Sequence, residues 1–188
     1  LQSDASQRMT KDIMNRAYIT PKRIVTKYAG CKNNLIKDEH YLLERGNGQS
    51  EMNRKKCCIM TSTETEKASL LLDFGSELHG GLKLVMGSSS RREPSLVRIR
   101  FGESVGEANS TTSNTEWKVG FSTDDHAKRD IIMEIPRDGM IEIGNTGFRF
   151  VRLDLLQNNA TISLKEISAI LRYRDIPYLG SFECNDCL

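Results

Sequence analysis

Residues 72–84 read LDFGSELHGGLKL. Two carboxylates, a histidine and three glycines stand between two apolar runs. Either Asp73, Glu77 and His79 are gathered for chemistry, or the glycines let two strands meet. Asp73 closes the apolar run Leu70–Leu72, Gly75 follows Phe74, and Gly80 and Gly81 precede Leu82. Asp and Gly supply turn chemistry, and paired glycines permit positive φ or the close approach of another backbone. A catalytic triad would need a nucleophile held beside the histidine in defined geometry, which the nearness of Ser76 to His79 in sequence does not provide. The stretch predicts strand, loop, strand, with Asp73, Gly75, His79, Gly80 and Gly81 as a structural turn motif.

The flanks share its rhythm. RIVTKY (23–28), HYLLE (40–44), KCCIMT (56–61) and ASLLLDF (68–74) lie before or within it, and GLKLVMG (81–87), SLVRIRF (95–101) and RDIIMEI (129–135) follow. MIEIG (140–144), FRFVRLDLL (148–156) and TISLKEISAILRY (161–173) complete the series. The period is two. Val97, Ile99 and Phe101 alternate with Arg98 and Arg100, the pattern of a strand with one wet face. In 161–173 the phase slips, and a β-bulge near Lys165–Glu166 absorbs the slip. An amphipathic helix over 162–171 is the rival, and the β-branched content favours the strand. NNAT (158–161), RDG (137–139) and GNTG (144–147) read as hairpin-type turns that use Gly and Asn to reach positive φ. Nine or ten short strands without alternating helices predict an all-β, antiparallel, jelly-roll-like sandwich over 20–178. Residues 1–19 form a short helical or irregular segment ahead of it.

The 188 residues carry 27 Lys and Arg against 25 Asp and Glu, a net charge of +2. That balance predicts neither nucleic-acid nor anionic-membrane binding. The one dense basic cluster, NRKK at 53–56, reads as a solvated edge. No apolar run approaches the ~18 residues of a membrane span, and no secretory h-region is present. The chain starts at Leu1 rather than Met, as expected of a processed or excised form. Cys184 and Cys187 make a lone C-x-x-C, and the scattered His40, His79 and His126 do not complete a zinc set. Of the adjacent Cys57 and Cys58, at least one is expected to be a small buried hydrophobe.

The longest break, 103–126, is rich in Ser, Thr, Asn and Gly and holds the one tryptophan, Trp117. A loop of that length in a sandwich is usually functional. Glu103, Asp124, Asp125 and His126 form its polar set. Paired carboxylates are the minimal apparatus of glycoside hydrolysis, and the same oxygens could hold calcium, although no EF-hand-like spacing is present. Trp117 could stack on a sugar ring. The set is therefore a candidate carbohydrate or interdomain contact, with no resident metal or cofactor expected.

Five segments in order, LLLDFGSELHGGLKLV (70–85), VRIRFGESVGEA (97–108), TDDHAKRD (123–130), EIGNTGFRFVRLDLL (142–156) and RYRDIPYLGSFECND (172–186), resemble the N-terminal β-sandwich domain of bacterial α-L-rhamnosidases of glycoside hydrolase family 78. The likeness is best over 68–188. The resemblance implies a multidomain enzyme whose sandwich precedes an (α/α)6 barrel. A glutamate acid and base on that barrel hydrolyse terminal α-L-rhamnosides with inversion. It places no catalytic residue in this chain, makes 179–188 the start of a linker toward the barrel, and favours a periplasmic or extracellular setting. Alternatives are an independent carbohydrate-binding module and a structural or protein-interaction sandwich.

Overall fold

The computed structural model describes residues 14–50, 55–90, 92–110, 129–174 and 179–183. Nine antiparallel strands are joined in one hydrogen-bonded network. They are β1 (Met14–Ile19), β2 (Arg23–Tyr28), β3 (Ile36–Lys37), β4 (Cys58–Thr61), β5 (Ser69–Ser89), β6 (Ser95–Gly102), β7 (Asp130–Ile135), β8 (Gly139–Leu155) and β9 (Thr161–Arg174). A short helix, α1 (Val105–Asn109), follows β6, and a 3-10 turn spans Glu39–Leu43. The all-β antiparallel class and the sandwich-like arrangement are as the sequence predicts.

β5 and β8 each serve both layers. The first half of β5 pairs with β2 and with the last residues of β8, and β8 in turn pairs with β6, which pairs with β7. The second half of β5 pairs with the start of β8 on one edge and with β9 on the other. β1 and β4 share the far edge of β9, and β3 follows β4. One core lies between the layers, taking Leu72 and Phe74 from β5, Val97, Ile99 and Phe101 from β6, and Leu164, Ile167 and Ala169 from β9. Its aromatic centre is Phe148, edge-on to Phe101 at 4.9 Å and to Phe74 at 5.9 Å, a favoured quadrupolar arrangement.

Residues 73–81 are not a turn. β5 runs unbroken from Ser69 to Ser89, and its Asp–Gly chemistry builds a bulge instead. Asp73 pairs with Phe150 and Leu78 with Phe148, so Phe74–Glu77 oppose the single residue Arg149. Gly75 takes φ +93 inside this bulge, where its N–H donates to Asp73 Oδ1 at 2.8 Å. The Gly80–Gly81 pair allows the close backbone approach. A Cβ on Gly80 would lie 1.7 Å from the Ile170 carbonyl oxygen, and one on Gly81 would lie 2.5 Å from that of Ile143.

GNTG is likewise no hairpin, because β8 continues through it with an extra residue opposite Gly81. RDG and NNAT connect strands that do not pair with one another, so they cross between layers rather than close hairpins. The expected positive φ does occur, at Gly139, Gly144 and Asn159. Residues 14–19, expected to be helical or irregular, form β1, whose exposure alternates residue by residue along β9. Arg16 and Tyr18 on its outer face both reach Glu142. HYLLE, read as a strand, is the 3-10 turn, opened by Asp38 at φ 58, with Leu42 in the core. The bulge on β9 falls where the phase slip placed it: Val85 pairs with Glu166 and Met86 with Leu164, leaving Lys165 as the extra residue. Cys57 and Cys58 are both buried, and burial pushes the Cys58 thiol up to about 12.

Gly80→Ala is expected to lower unfolding free energy by about 3 kcal/mol or more, because backbone rather than a flexible side chain must move. Gly139→Ala, at φ +92 with nothing within 4 Å of its Cβ, is expected to cost only about 1–2 kcal/mol. Urea unfolding of the two variants checks the contrast, and equal costs would contradict the account of the Gly80 approach.

Candidate functional site

β6 ends at Gly102, packed so tightly that a Cβ there would lie 2.4 Å from the Ala108 nitrogen. The chain turns at once into α1. Ser104 Oγ accepts from the Glu107 N–H at 3.2 Å, and Glu107 Oε2 accepts from the Glu103 N–H at 2.9 Å. This is a near-reciprocal capping box. It is visible in sequence as S-x-x-E at 104–107, a signal the strand-based analysis passed over. The helix lies on the outer face of the β6–β8 layer, where Ala108 packs with Leu71 and Phe150.

Beneath α1, the second face of β6 is not wet. Arg100 is 5% exposed. Its Nη1 donates to the Asn109 and Ser110 carbonyls at 3.0 and 3.1 Å, the negative end of α1, and its Nη2 donates to Asp154 Oδ2 at 2.7 Å. Arg152 donates to the other Asp154 oxygen at 2.9 Å and to Asn109 Oδ1 at 2.8 Å. Burial alone would raise the Asp154 carboxyl, but hydrogen bonds from Ser69, Arg152 and Arg100 outweigh it and hold it below the ordinary value. Arg98 grips Asp130 with two bonds, at 2.8 and 2.5 Å.

Arg129 ties the two flanks of the long segment together. It donates to Glu103 Oε1 at 2.8 Å and to Glu107 Oε2 at 3.1 Å, while its carbonyl accepts from the Phe101 N–H at 2.8 Å. A cavity of about 100 Å³ lies here, lined by Arg100, Phe101, Glu107, Ser110, Arg129 and Asp130. The Oε1 atoms of Glu103 and Glu77 lie 3.7 and 3.8 Å from where a Gly147 Cβ would be. His79 is exposed and pairs through its backbone with Gly147. The fold therefore brings Glu77 and Glu103 to one glycine, joining stretches that the sequence treats separately. Trp117, Asp124, Asp125 and His126 lie outside the described residues. Among the described residues no group of three His, Cys, Asp or Glu side chains is placed to hold a metal ion.

Asp73 is bound to arginines instead. Its side chain is 2% exposed and accepts from Arg149 through both oxygens, at 2.8 and 3.0 Å, and from Arg23 at 3.0 Å. Arg149 also stands 5.0 Å over the Phe150 ring. The Arg149 bonds, helped by the Gly75 N–H and Arg23, hold the Asp73 carboxyl far below the usual carboxylate range despite burial.

No family model and no curated protein sequence matches the chain. Similar folds occur among solved structures. A rhamnosidase from Klebsiella oxytoca with rhamnose bound matches over 85% of this chain and 29% of its own, with 15% identity and TM-score 0.54. A fucolectin from striped bass (Morone saxatilis) serum matches over 86% of this chain and 46% of its own, with 12% identity and TM-score 0.47. A glycoside hydrolase family 78 rhamnosidase of a Bacillus species matches over 70% of this chain and 13% of its own, with 19% identity and TM-score 0.48. The chain thus spans less than half the length of each. Its sandwich fold is shared with a domain-sized part of the Klebsiella enzyme.

A glycosidic general acid needs its carboxyl pKa raised toward the working pH. Every carboxylate among the described residues with a clear shift moves the other way: Glu39, Glu66, Asp73, Asp154 and Glu166.

Two outcomes follow from this electrostatic framework. Arg100→Met, which leaves Asp154 buried without one of its three partners, is expected to cost about 3 kcal/mol in urea unfolding. Arg100→Met with Asp154→Leu is expected to recover most of that loss, and a double variant as unstable as the single one would sink the pairing argument. Because the folded Asp73 pKa is depressed, its contribution is present above the unfolded value of about 4 and is lost as pH falls below it. Wild type should therefore lose more stability than Asp73→Asn between about pH 5 and pH 2, as read from the two pH profiles of the urea midpoint.

Proposed function

We propose that this chain is a non-catalytic sandwich domain of a larger glycoside hydrolase of the α-L-rhamnosidase type, with the reacting carboxylates outside this chain. The observation that carries the reading is the Klebsiella rhamnosidase likeness, which takes in 85% of this chain and 29% of the enzyme. The five ordered segments resembling family 78 sandwiches support it. So does the engagement of Asp73, Asp154 and Glu166 by arginine and lysine partners, which gives these three carboxylates a framework role. The end of the sandwich that carries Glu103, Glu107 and Arg129 would meet the helical barrel or the bound glycan, together with Trp117 and the acidic residues of the same segment.

The test is an assay with an aryl α-L-rhamnoside. The 188-residue chain is expected to release no rhamnose above background. The complete gene product is expected to release it, with an inverted anomer as the first product seen by NMR. Turnover by the chain alone at ~1 s⁻¹ or faster, within the usual enzyme range, would overturn the non-catalytic assignment. A complete product that cleaves other glycosides but no rhamnoside would overturn the substrate.

A further inference from the structure

A second cleft, of about 480 Å³, lies between the 3-10 turn, the segment after it, the approach to β4 and the β9 bulge. That volume is in the range of small-molecule sites. Four of its lining residues are cations: Arg45, Lys55, Lys56 and Lys165. Glu44 is the one carboxylate among them, and Tyr41 supplies an aromatic wall. Among the described lining residues, cations outnumber carboxylates four to one. In a protein otherwise balanced in charge, that is a concentration rather than a share.

Several features show how the cleft is built. Lys165 is the residue left over by the β9 bulge, so the strand irregularity turns a lysine into the cleft wall. Lys56 holds φ 53, a left-handed conformation that costs a side-chain-bearing residue free energy. The segment carrying Arg45 is fixed from beneath. Gly46 sits so close to Glu166 that a Cβ would lie 2.0 Å from its Oε2, and the Gly48 N–H donates to the same oxygen at 3.0 Å. Glu166 is itself locked by Lys83 at 2.6 Å, both side chains under 10% exposed, and by Ser168 at 2.6 Å. Elsewhere the buried or half-buried cations Lys83, Arg98, Arg100, Arg149 and Arg152 sit on carboxylates. Among the described residues Arg45 and Lys56 form no ion pair.

We propose that this cleft binds a sugar residue carrying a negative charge, its anion met by Arg45 and Lys56 and its ring lying against Tyr41. A carboxylate on a uronide and a sulfate ester present the same chemistry, charge on a pyranose ring. The ring part of the assignment rests on the carbohydrate reading above, whereas the charge part rests on the cleft alone.

The experiment is calorimetric titration of the 188-residue chain with trigalacturonate, its methyl ester, a sulfated disaccharide, and citrate as a polyanion without a sugar ring. Trigalacturonate, the sulfated disaccharide or both should bind, and which one does so identifies the source of the charge. Methyl esterification should weaken uronide binding at least tenfold, and citrate should bind at least tenfold more weakly than the best sugar. Arg45→Gln with Lys56→Gln should weaken the best sugar at least tenfold while leaving the urea midpoint in place, because neither side chain forms an ion pair among the described residues. The proposal is overturned if neither anionic sugar binds at millimolar concentration, if the ester binds as well as the acid, if citrate binds as tightly, or if the double variant binds unchanged. A chain that binds the anionic sugar while its full-length parent leaves rhamnosides intact keeps this site and loses the parent enzyme assigned above. The reverse pattern removes the site and keeps the parent.

Discussion

Gly80 and Gly81 set the shape of the molecule. At this point β5 passes from one layer of the sandwich to the other with β8 on one edge and β9 on the other, and carbonyl oxygens press in from both sides. A residue with a Cβ would have to displace main chain, and main chain here belongs to two other strands. The crossing also fixes what lies on either side of it. Before it, Leu72 and Phe74 enter the core, and after it Leu82, Leu84 and Met86 enter from the opposite layer. Phe101 closes over Gly144, whose Cβ would lie 2.9 Å from the ring, so the aromatic centre needs a second glycine on β8 at the same level. Two long strands, each bent at glycines, thereby replace the four shorter strands and two turns that their residue chemistry suggests.

On each outer face of the sandwich a patch is covered by a segment held through charge. On one, α1 sits over the Arg100–Asp154–Arg152 group. On the other, the segment from Gly46 to Ser50 crosses above Lys83 and Glu166 and reaches Met86 and Gly139 through Ser50. Buried ion pairs add little net stability relative to apolar packing, but removing one partner is costly. Their use here is positional. Each anchors a segment without regular pairing to a sheet face, and each segment carries a candidate site: Glu103 and Glu107 beside the first, Arg45 beside the second.

The alternation of apolar and polar residues was enough to find β6 and β7, because a half-buried strand needs period two and those strands largely keep it. The slip that placed the Lys165 bulge was legible for the same reason. The continuity of β5 and β8 was not. Asp, Gly and Asn serve a turn and a bulge equally well, and only the partner strand distinguishes the two. Leu42 illustrates another loss, since a 3-10 turn that plugs the core with one leucine is too short to show a helical period. In the site, Glu103 could be named from its place after an apolar strand, and the Ser104–Glu107 cap could have been. The meeting of Glu77 with Glu103 could not, because it depends on Gly147, which separates strands that are distant in sequence.

Charge bookkeeping of the whole chain conceals how unequally its charges are employed. The carboxylates with clear shifts are held ionised by guanidinium, ammonium or amide partners, so they steady segments and have little left to offer a ligand. The cations divide into two populations. One sits on those carboxylates and belongs to the framework. The other includes Arg45 and Lys56, which form no ion pair among the described residues and line a cleft beside the segment that Glu166 holds. Preorganised charge binds more strongly than charge that must be gathered on arrival, because the ordering cost is met in folding rather than in binding. Arg45, on a segment that Glu166 fixes, is in this sense preorganised for the anionic group proposed above.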